Sequence, residues 1–173
     1  MGVEHYGEVF ISATAPDGPP TRVGSLWMDT TTNSFKRCVS VGPPYVWTTV
    51  GGAGDVTSLT FLIDGGGSAI TTGQKGHLEI PFACTINQVT VLADQSGSIV
   101  VDIWKDTYAN FPPTVADTIT AAAKPTLAAA QKSQDATLTG WTTAIAAGDT
   151  LAFNVDSVAT VTRVTISLKV TKS

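Results

Sequence analysis

The sequence is short of charge, histidine and cysteine, and each shortage argues against a class of function. Charged residues make up 14% of its 173 residues, against about 25% in an average domain. Its two histidines, His5 and His77, and its two cysteines, Cys38 and Cys84, lie far apart. A zinc site needs such residues at short spacing, and a catalytic triad needs a histidine beside an activated serine, yet no G-x-S-x-G is present. We therefore expect no catalytic residue, no metal, no cofactor and no enzyme activity.

Targeting signals and long apolar runs are also missing. The start, MGVEHYGEVF, has no basic segment followed by an apolar core, so we expect no secretory signal. No run approaches the ~18 apolar residues of a spanning helix, so we expect no membrane insertion. Two cysteines do not make a disulfide framework. We expect two buried, reduced thiols, which suit a reducing cytoplasm, although a bridge between Cys38 and Cys84 stays open.

The charges that are present do not form a basic region. The net charge is −4, and residues 1–55 carry three basic and five acidic residues while residues 56–173 carry seven and nine. Neither part offers the positive face that nucleic acid requires, so we expect no nucleic-acid partner. Because charge is depleted at interface cores, the weakly charged composition indicates an oligomer.

Alternation of apolar and polar residues at a period of two is the strongest structural pattern. It predicts strands at 57–63, 86–92, 98–104, 150–155 and 160–170. The glycine-containing turns DGGGS at 64–68 and DQSGS at 94–98 separate such segments. The exception is the alanine-rich stretch 115–134, which Pro125 interrupts; there we expect a strand near 117–121 and one helical turn near 127–132. The pattern predicts an all-β chain with an antiparallel β-sandwich, jelly-roll-like, in its second part.

The glycine-rich GGAGD at 51–55 predicts a linker between two parts. We expect an extended attachment arm over 1–15, a small β-hairpin or ribbon that serves as an anchoring module over 16–52, and the β-sandwich over 56–173. Strands are expected near 25–28, 34–41 and 45–50. Three such short strands are only marginally stable alone in water. We therefore expect other chains to bury the apolar residues of the ribbon.

Aromatic residues in the ribbon are the candidate anchoring or oligomer contacts. Trp27 and Trp47 can pack across the hairpin, and Tyr45 precedes the closing strand. Each tryptophan can bury about 150–250 Å² of surface. Two interpretations stay open: the tryptophans only staple the hairpin, or they also anchor it to another protein or to copies of itself.

A second aromatic cluster, WKDTYANFPP at 104–113, combines ring faces with Asp and Asn in a polar loop. Sugar rings present apolar C–H faces and hydroxyl edges, so Trp104, Tyr108 and Asn110 are candidate glycan contacts, as is Trp141 among its threonines. The alternative is that Trp104 and Trp141 are core residues.

Five aspartates mostly follow or precede predicted strands: Asp64, Asp94, Asp102, Asp106 and Asp149. A pair of carboxylates suits glycoside hydrolysis or calcium binding. Asp also hydrogen-bonds backbone N–H groups at turns, and we expect these aspartates to cap turns.

The order Pro19-Pro20, GSLWMDT at 24–30, a strand and Trp47 resembles a small module in structural proteins of tailed bacteriophages. The stretch from GGGSAITTGQKGHLEIPFACTINQVTVL onward is similar to C-terminal domains of phage virion appendages. The resemblance implies a virion protein, either a short head fibre or decoration protein or a tail-fibre-like protein, that is often a homotrimer. Its N-terminal part would bind other virion proteins and its C-terminal domain would face outward.

The resemblance also implies a location in the virion, after assembly in the host cytoplasm, and adhesion to host-surface glycans. No heptads or collagen-like triplets are present, which favours a short appendage over a long fibre. A carbohydrate-binding module not tied to a virion is the alternative, and a polysaccharide-depolymerising enzyme is a third candidate.

Overall fold

The computed structural model describes residues 9–15, 24–31, 34–40, 44–50 and 54–173. The chain divides into two compact units, Met1–Asp55 and Val56–Ser173. Strands dominate both, and the only helical elements in the described ranges are two single 3-10 turns, Tyr108–Asn110 and Val115–Asp117. The prediction of an all-β chain is therefore confirmed. No helix among the described residues has the length and apolar character needed to cross a membrane.

The first unit is a four-stranded sheet in the order β1-β2-β3-β4. Its strands are β1 (Val9–Ser12), β2 (Leu26–Asp29), β3 (Ser34–Cys38) and β4 (Trp47–Thr49). β1 pairs parallel to β2, and the other neighbours are antiparallel. Four residues of the predicted arm thus belong to a sheet. Residues 1–8 of that arm and 51–53 of the predicted linker lie outside the described residues.

The second unit is a seven-stranded sheet. Its strands are β5 (Val56–Asp64), β6 (Gly73–Glu79), β7 (Cys84–Thr107), β8 (Thr126–Asp135), β9 (Ala144–Ile145), β10 (Asp149–Ala159) and β11 (Arg163–Lys172). The strand order is β5-β11-β7-β10-β6, and β8 and β9 also pair with β7. All of these pairings are antiparallel.

The 24-residue strand β7 organises this unit, because its two halves have different partners along one edge. Its first half pairs with β11 up to Ala93, and its second half pairs with β10 from Ser98. β5 continues the sheet beyond β11, and β6 continues it beyond β10. The rings of Phe61 in β5 and Phe153 in β10 stack at 4.2 Å between centroids. The two halves of the sheet therefore face each other as the layers of a β-sandwich.

Close contacts at the bend and between the layers require glycine at two positions. A Cβ on Gly97 would lie 2.5 Å from Thr160 Oγ1, where β7 changes partner. A Cβ on Gly76 would lie 2.9 Å from the Phe61 ring, and Gly76 has a φ of +154° that side chains rarely adopt. The carboxylate of Asp94 also accepts hydrogen bonds from the backbone N–H groups of Thr162 and Arg163, which ties the two turns together.

The apolar residues of the alternating strands fill the space between the layers. Fully or almost fully buried side chains come from β7, β10 and β11: Val91, Ile99, Val101, Ile103, Leu151, Phe153, Val155, Val164, Ile166, Leu168 and Val170. Cys38 in the first unit and Cys84 in the second are both buried and free. Burial raises the pKa of the Cys84 thiol.

The prediction of a helical turn near 127–132 is wrong, because these residues belong to β8. β8 pairs with β7 along its length, from Val100–Thr126 to Val89–Asp135. Pairing with an existing strand satisfies backbone groups that an isolated helical turn would leave to water, so tertiary context overrides the helix propensity of alanine. Similarly, 117–121 forms only a single bridge between Thr118 and Trp104.

Candidate functional site

One face of the small sheet is closed by its own side chains. Trp27 is buried and meets Trp47 edge-on, with ring centroids 5.8 Å apart. Lys36, opposite Trp27 in the register, places its Nζ 4.6 Å from the Trp27 ring centroid and 2.8 Å from Asp29 Oδ2. A cation held over an indole face and against a buried carboxylate is well partnered. This face needs no further contact.

The opposite face of the same sheet carries exposed apolar residues on both sides of a central row, Leu26, Arg37 and Thr48, and is largely open to solvent. Register places Met28, Phe35 and Val50 in one row, because Met28 pairs with Phe35 and the Val50 N–H donates to the Phe35 carbonyl at 2.7 Å. Val39 and Val46 form another row through a 2.9 Å backbone hydrogen bond. We call the set Leu26, Met28, Phe35, Val39, Val46 and Val50 the apolar face.

The exposure of the apolar face is large for such a small unit. Phe35 is 50% exposed and Val50 is 54% exposed, and Val39 and Val46 are exposed as well. Clusters of exposed apolar side chains mark interaction sites, and here Arg37 and Thr48 lie between two such clusters. The arrangement can exclude water from a contact with another apolar surface, and the described residues show no chemistry at this face beyond that.

The predicted anchoring residues lie elsewhere on this sheet. Trp27 is interior, and Trp47 and Tyr45 are half-buried. The interpretation that the tryptophans staple the hairpin therefore matches the position of Trp27. The sequence-based prediction favoured the large aromatic side chains and did not include Phe35, Val39, Val46 and Val50. Their positions on one side of two paired strands were the signal that could have found them.

The second unit carries an aromatic cluster on the outer side of its β6–β10–β7 layer. Leu151 and Phe153 point into the core, so Ala152 between them points outward. Ala152 pairs with His77 on one side and Trp104 on the other, and it is nevertheless fully buried. The loop after β7 returns over this layer, and the Phe111 ring lies 4.6 Å from the His77 ring.

Tyr108 projects from this loop and is 79% exposed, although Phe111 beside it is only 49% exposed. The Phe111 N–H donates to the Tyr108 carbonyl at 3.3 Å, which closes the 3-10 turn. Asp106 Oδ1 accepts hydrogen bonds from the Thr107 N–H at 2.7 Å and from Asn110 Nδ2 at 3.1 Å. We call His77, Trp104, Tyr108 and Phe111 the aromatic platform.

Two carboxylates lie on the same outer side. Thr150 pairs with Glu79 on β6 and with Asp106 on β7, so both acidic side chains flank Thr150. Two strand spacings separate them, about 10 Å. The layer therefore presents hydrogen-bond acceptors beside the aromatic platform.

Tyr108 and Asn110 share the 3-10 turn that follows β7, Trp104 lies in β7 on the outer side of the layer, and Trp141 lies in the core. Trp141 is 9% exposed and its Nε1 donates to the Ala123 carbonyl at 2.8 Å. Its place among the predicted glycan contacts is corrected accordingly, because a ring held in the core presents no face to a ligand. His77 and Glu79 of β6 and Phe111 of the loop also lie on this outer side, and no local sequence pattern indicates that β6 lies there.

Most of the predicted turn-capping aspartates do cap turns. Asp64 Oδ1 accepts from the Gly66 N–H at 2.8 Å, and Asp149 Oδ2 accepts from the Ala146 N–H at 2.8 Å. The Gly66 hydrogen bond and then the Arg163 side chain hold the pKa of Asp64 below its usual value. Hydrogen bonds from Thr162 and the Arg163 N–H likewise lower the pKa of Asp94. No three His, Cys, Asp or Glu side chains of the described ranges come together as metal ligands.

Asp102 is the exception, since it is buried in the middle of β7 and caps no turn. Its Oδ1 accepts from Thr118 Oγ1 at 2.6 Å and Thr120 Oγ1 at 2.7 Å, and its Oδ2 lies 2.9 Å from Lys124 Nζ. Burial opposes its ionisation, but these hydrogen bonds outweigh burial and leave the pKa of Asp102 below its usual value. Through these contacts the Asp102 carboxylate holds the segment 118–124 against the sheet.

Comparisons with known proteins identify no family for this chain. No family model matches the chain, and no curated protein matches it. Among solved structures, the chain is weakly similar to a chain in the structure of infectious bursal disease virus, Gx strain. The identity is 14%, the TM-score is 0.20, and the match covers 80% of this chain and 43% of that one. The chain thus spans less than half of that viral chain, and a TM-score this low supports no argument about fold or function.

Proposed function

We propose that this chain is a structural component of a tailed-bacteriophage virion, a short fibre or decoration protein of the capsid or tail. In this role the first unit binds other virion proteins, and the sandwich faces outward to host-surface glycans. The protein acts as a homotrimer and breaks no bond. The proposal extends the sequence resemblance of GSLWMDT and the second half of the chain to phage appendage proteins.

The observation that carries the proposal is the apolar face of the first unit. Burying a side chain such as Phe35 or Val50 contributes roughly 1.5–3 kcal/mol relative to leaving it in water. The small sheet leaves about half of each of these side chains exposed, so contact with another chain gains about half of that free energy. A unit built this way suits attachment better than independent display.

The test is the assembly state of the full chain and of a variant with the apolar face made polar, Phe35→Ser with Val50→Ser. Native mass spectrometry is expected to give three times the 17.9 kDa chain for the parent protein and a single chain for the variant. The matched control is Val56→Ser with Leu62→Ser, two equally exposed apolar residues of β5, which is expected to stay trimeric. A monomeric parent protein contradicts the homotrimer.

Attachment is tested separately by incorporation into particles. The apolar-face variant is expected to be absent from purified virions, whereas the β5 control is expected to be present. Electron microscopy with an antibody against residues 56–173 then shows head or tail. Normal incorporation of the apolar-face variant contradicts attachment through the first unit.

The aromatic platform supports a second candidate function, a carbohydrate-binding module not tied to a virion. An exposed tyrosine beside an amide and two carboxylates suits a sugar better than it suits a structural contact. A monomer that binds glycans and never enters particles would favour this candidate.

A further inference from the structure

We propose that the aromatic platform binds one neutral hexose residue of a glycan and discriminates against acidic sugars. The inference rests on glycan binding by the second unit and is independent of the virion role. It names the ligand class and assigns roles to Glu79, Asp106 and Asn110 that the sequence did not predict as a set.

Tyr108 is exposed to solvent, and the turn that carries it is held in place by hydrogen bonds. Its side chain is 79% exposed, so folding gains little from it. The backbone that carries it is fixed by the 3-10 turn and by the Asp106 carboxylate, which holds both the Thr107 N–H and the Asn110 amide. An aromatic ring with two χ angles on a fixed loop loses little conformational entropy on binding.

The shape of the site also suits a sugar ring. The outer layer holds Trp104 half-buried at its base and the Phe111–His77 pair at one side. The Phe111 and His77 rings are tilted by 60° to each other, so the site presents separate ring faces on the outer side of the sheet. One exposed ring face, such as that of Tyr108, contacts the C–H face of a pyranose ring and leaves the hydroxyl edge of the sugar to polar groups.

Acceptors for sugar hydroxyls lie next to these rings. The Asn110 amide nitrogen is committed to Asp106 Oδ1, which turns its carbonyl oxygen away from that contact. Glu79 and Asp106 flank Thr150 on the same side of the layer. Hydrogen bonds from a hydroxyl to a carboxylate are stronger than those between neutral groups, so both carboxylates favour a donor-rich ligand.

The charge beside Thr150 on this side of the layer is negative, from Glu79 and Asp106. Lys105 pairs with the core residue Leu151, so it lies on the other side of the layer, where its Nζ is 3.1 Å from Asp149 Oδ2. Lys75 Nζ donates to Thr71 Oγ1 at 2.8 Å. A uronic or sialic acid would bring a carboxylate toward Glu79 and Asp106, and like charges in close contact oppose binding. A neutral hexose meets no such opposition.

The experiment compares two ligands that differ mainly at C6, galactotriose and trigalacturonate, with the full chain in solution. Saturation-transfer NMR is expected to show contact to the C–H protons of galactotriose, with Kd about 1 mM, as is usual for one shallow site. Trigalacturonate is expected to bind at least tenfold more weakly. Repeated display of such weak sites raises avidity.

Variants assign the contacts. Tyr108→Ala is expected to weaken galactotriose binding at least tenfold, whereas the control Val115→Ala, an exposed residue of the second 3-10 turn, leaves it unchanged. Glu79→Gln with Asp106→Asn keeps the hydrogen-bond geometry but removes both charges, so trigalacturonate binding is expected to approach that of galactotriose.

Each contrary result has a distinct meaning. If trigalacturonate binds and galactotriose does not, the neutral specificity is wrong while glycan binding stands. If neither trisaccharide binds at 20-fold the expected Kd, the platform is not this glycan site and the inference falls. If Tyr108→Ala binds galactotriose as the parent does, the sugar lies elsewhere.

Discussion

The two units of this chain treat their apolar side chains in opposite ways. The sandwich folds one long sheet over so that apolar residues of one half meet those of the other, as Phe61 meets Phe153. The small sheet has a well-closed face around Trp27 and an apolar face that stays open at Phe35 and Val50. A unit that encloses most of its apolar side chains between its own layers can be stable without partners, whereas an open face gains free energy only from another chain. This difference is the basis on which we propose display for the sandwich and attachment for the small sheet.

The largest expected effect is on the stability of the sandwich. Phe153→Ala removes a side chain that is 1% exposed and stacks on Phe61 across the layers. We expect the free energy of unfolding of the second unit to fall by about 3–5 kcal/mol. Urea denaturation followed by circular dichroism measures this fall. An unchanged midpoint would contradict the packing of the two layers against each other.

The next effect concerns the buried carboxylate of the sandwich. Asp102→Asn removes the charge that faces Lys124, and Lys124 keeps its second partner Asp156 at 2.6 Å. We expect a loss of about 1.5–3 kcal/mol at neutral pH, the range for hydrogen bonds to a charged group, measured by thermal unfolding.

The same variant gives a pH dependence with a defined sign. The folded-state pKa of Asp102 is lowered, so its contribution is present above the unfolded-state pKa near about 3.9 and is lost as pH falls through the folded-state pKa. The stability difference between the parent and Asp102→Asn should therefore shrink on acidification below about pH 4. A difference that stays constant down to pH 2 would show that Asp102 is not ionised in the fold.

A smaller effect is expected at the closed face of the small sheet. Lys36→Met removes the ion pair with Asp29 and the cation over Trp27, at a cost of about 2 kcal/mol to the first unit. Amide hydrogen exchange is expected to accelerate in β2 and β3 and to stay unchanged in the sandwich. The control Arg37→Gln removes a charge from the opposite side of β3 without adding apolar surface and should leave exchange unchanged. Equal acceleration in both variants would point to a general charge effect.

The smallest expected effect on stability is at the apolar face, where it tests the difference between the two units most directly. Phe35→Ser on the apolar face should change the free energy of unfolding of the isolated chain by less than about 0.5 kcal/mol, since a surface position contributes little to the fold. Its effect should appear in association, measured by sedimentation at several protein concentrations. A large loss of stability in dilute monomer would show that Phe35 is packed within its own chain.

Local patterns predicted much of this fold. Alternation placed strands at 57–63, 150–155 and 160–170, and the structure has β5, β10 and β11 there. Two predicted strands, 86–92 and 98–104, are the two halves of β7, because DQSGS bends the strand without ending it. β6 was missed, since GQKGHLE has too few apolar residues to alternate.

The candidate sites were predicted less well, for a physical reason. Trp104, Tyr108 and Asn110 are near in sequence, so one loop could bring them together. His77 and Glu79 reach the same surface only because β6 pairs with β10 and β10 pairs with β7. Trp141 looked similar in sequence but its indole N–H is bound to the Ala123 carbonyl.

The sequence by itself determined that the chain is built of strands and that its composition changes near a glycine-rich segment, because alternation, turn residues and glycine act over a few neighbours. Only the tertiary structure decided that alanine-rich residues 126–135 form a strand, that Phe35 and Val50 share an open face, and that Phe111 meets His77. Each of these depends on which segments pair with which and in what register. A local pattern shows which residues alternate, whereas the pairing that buries the most apolar surface is decided among all the segments of the chain.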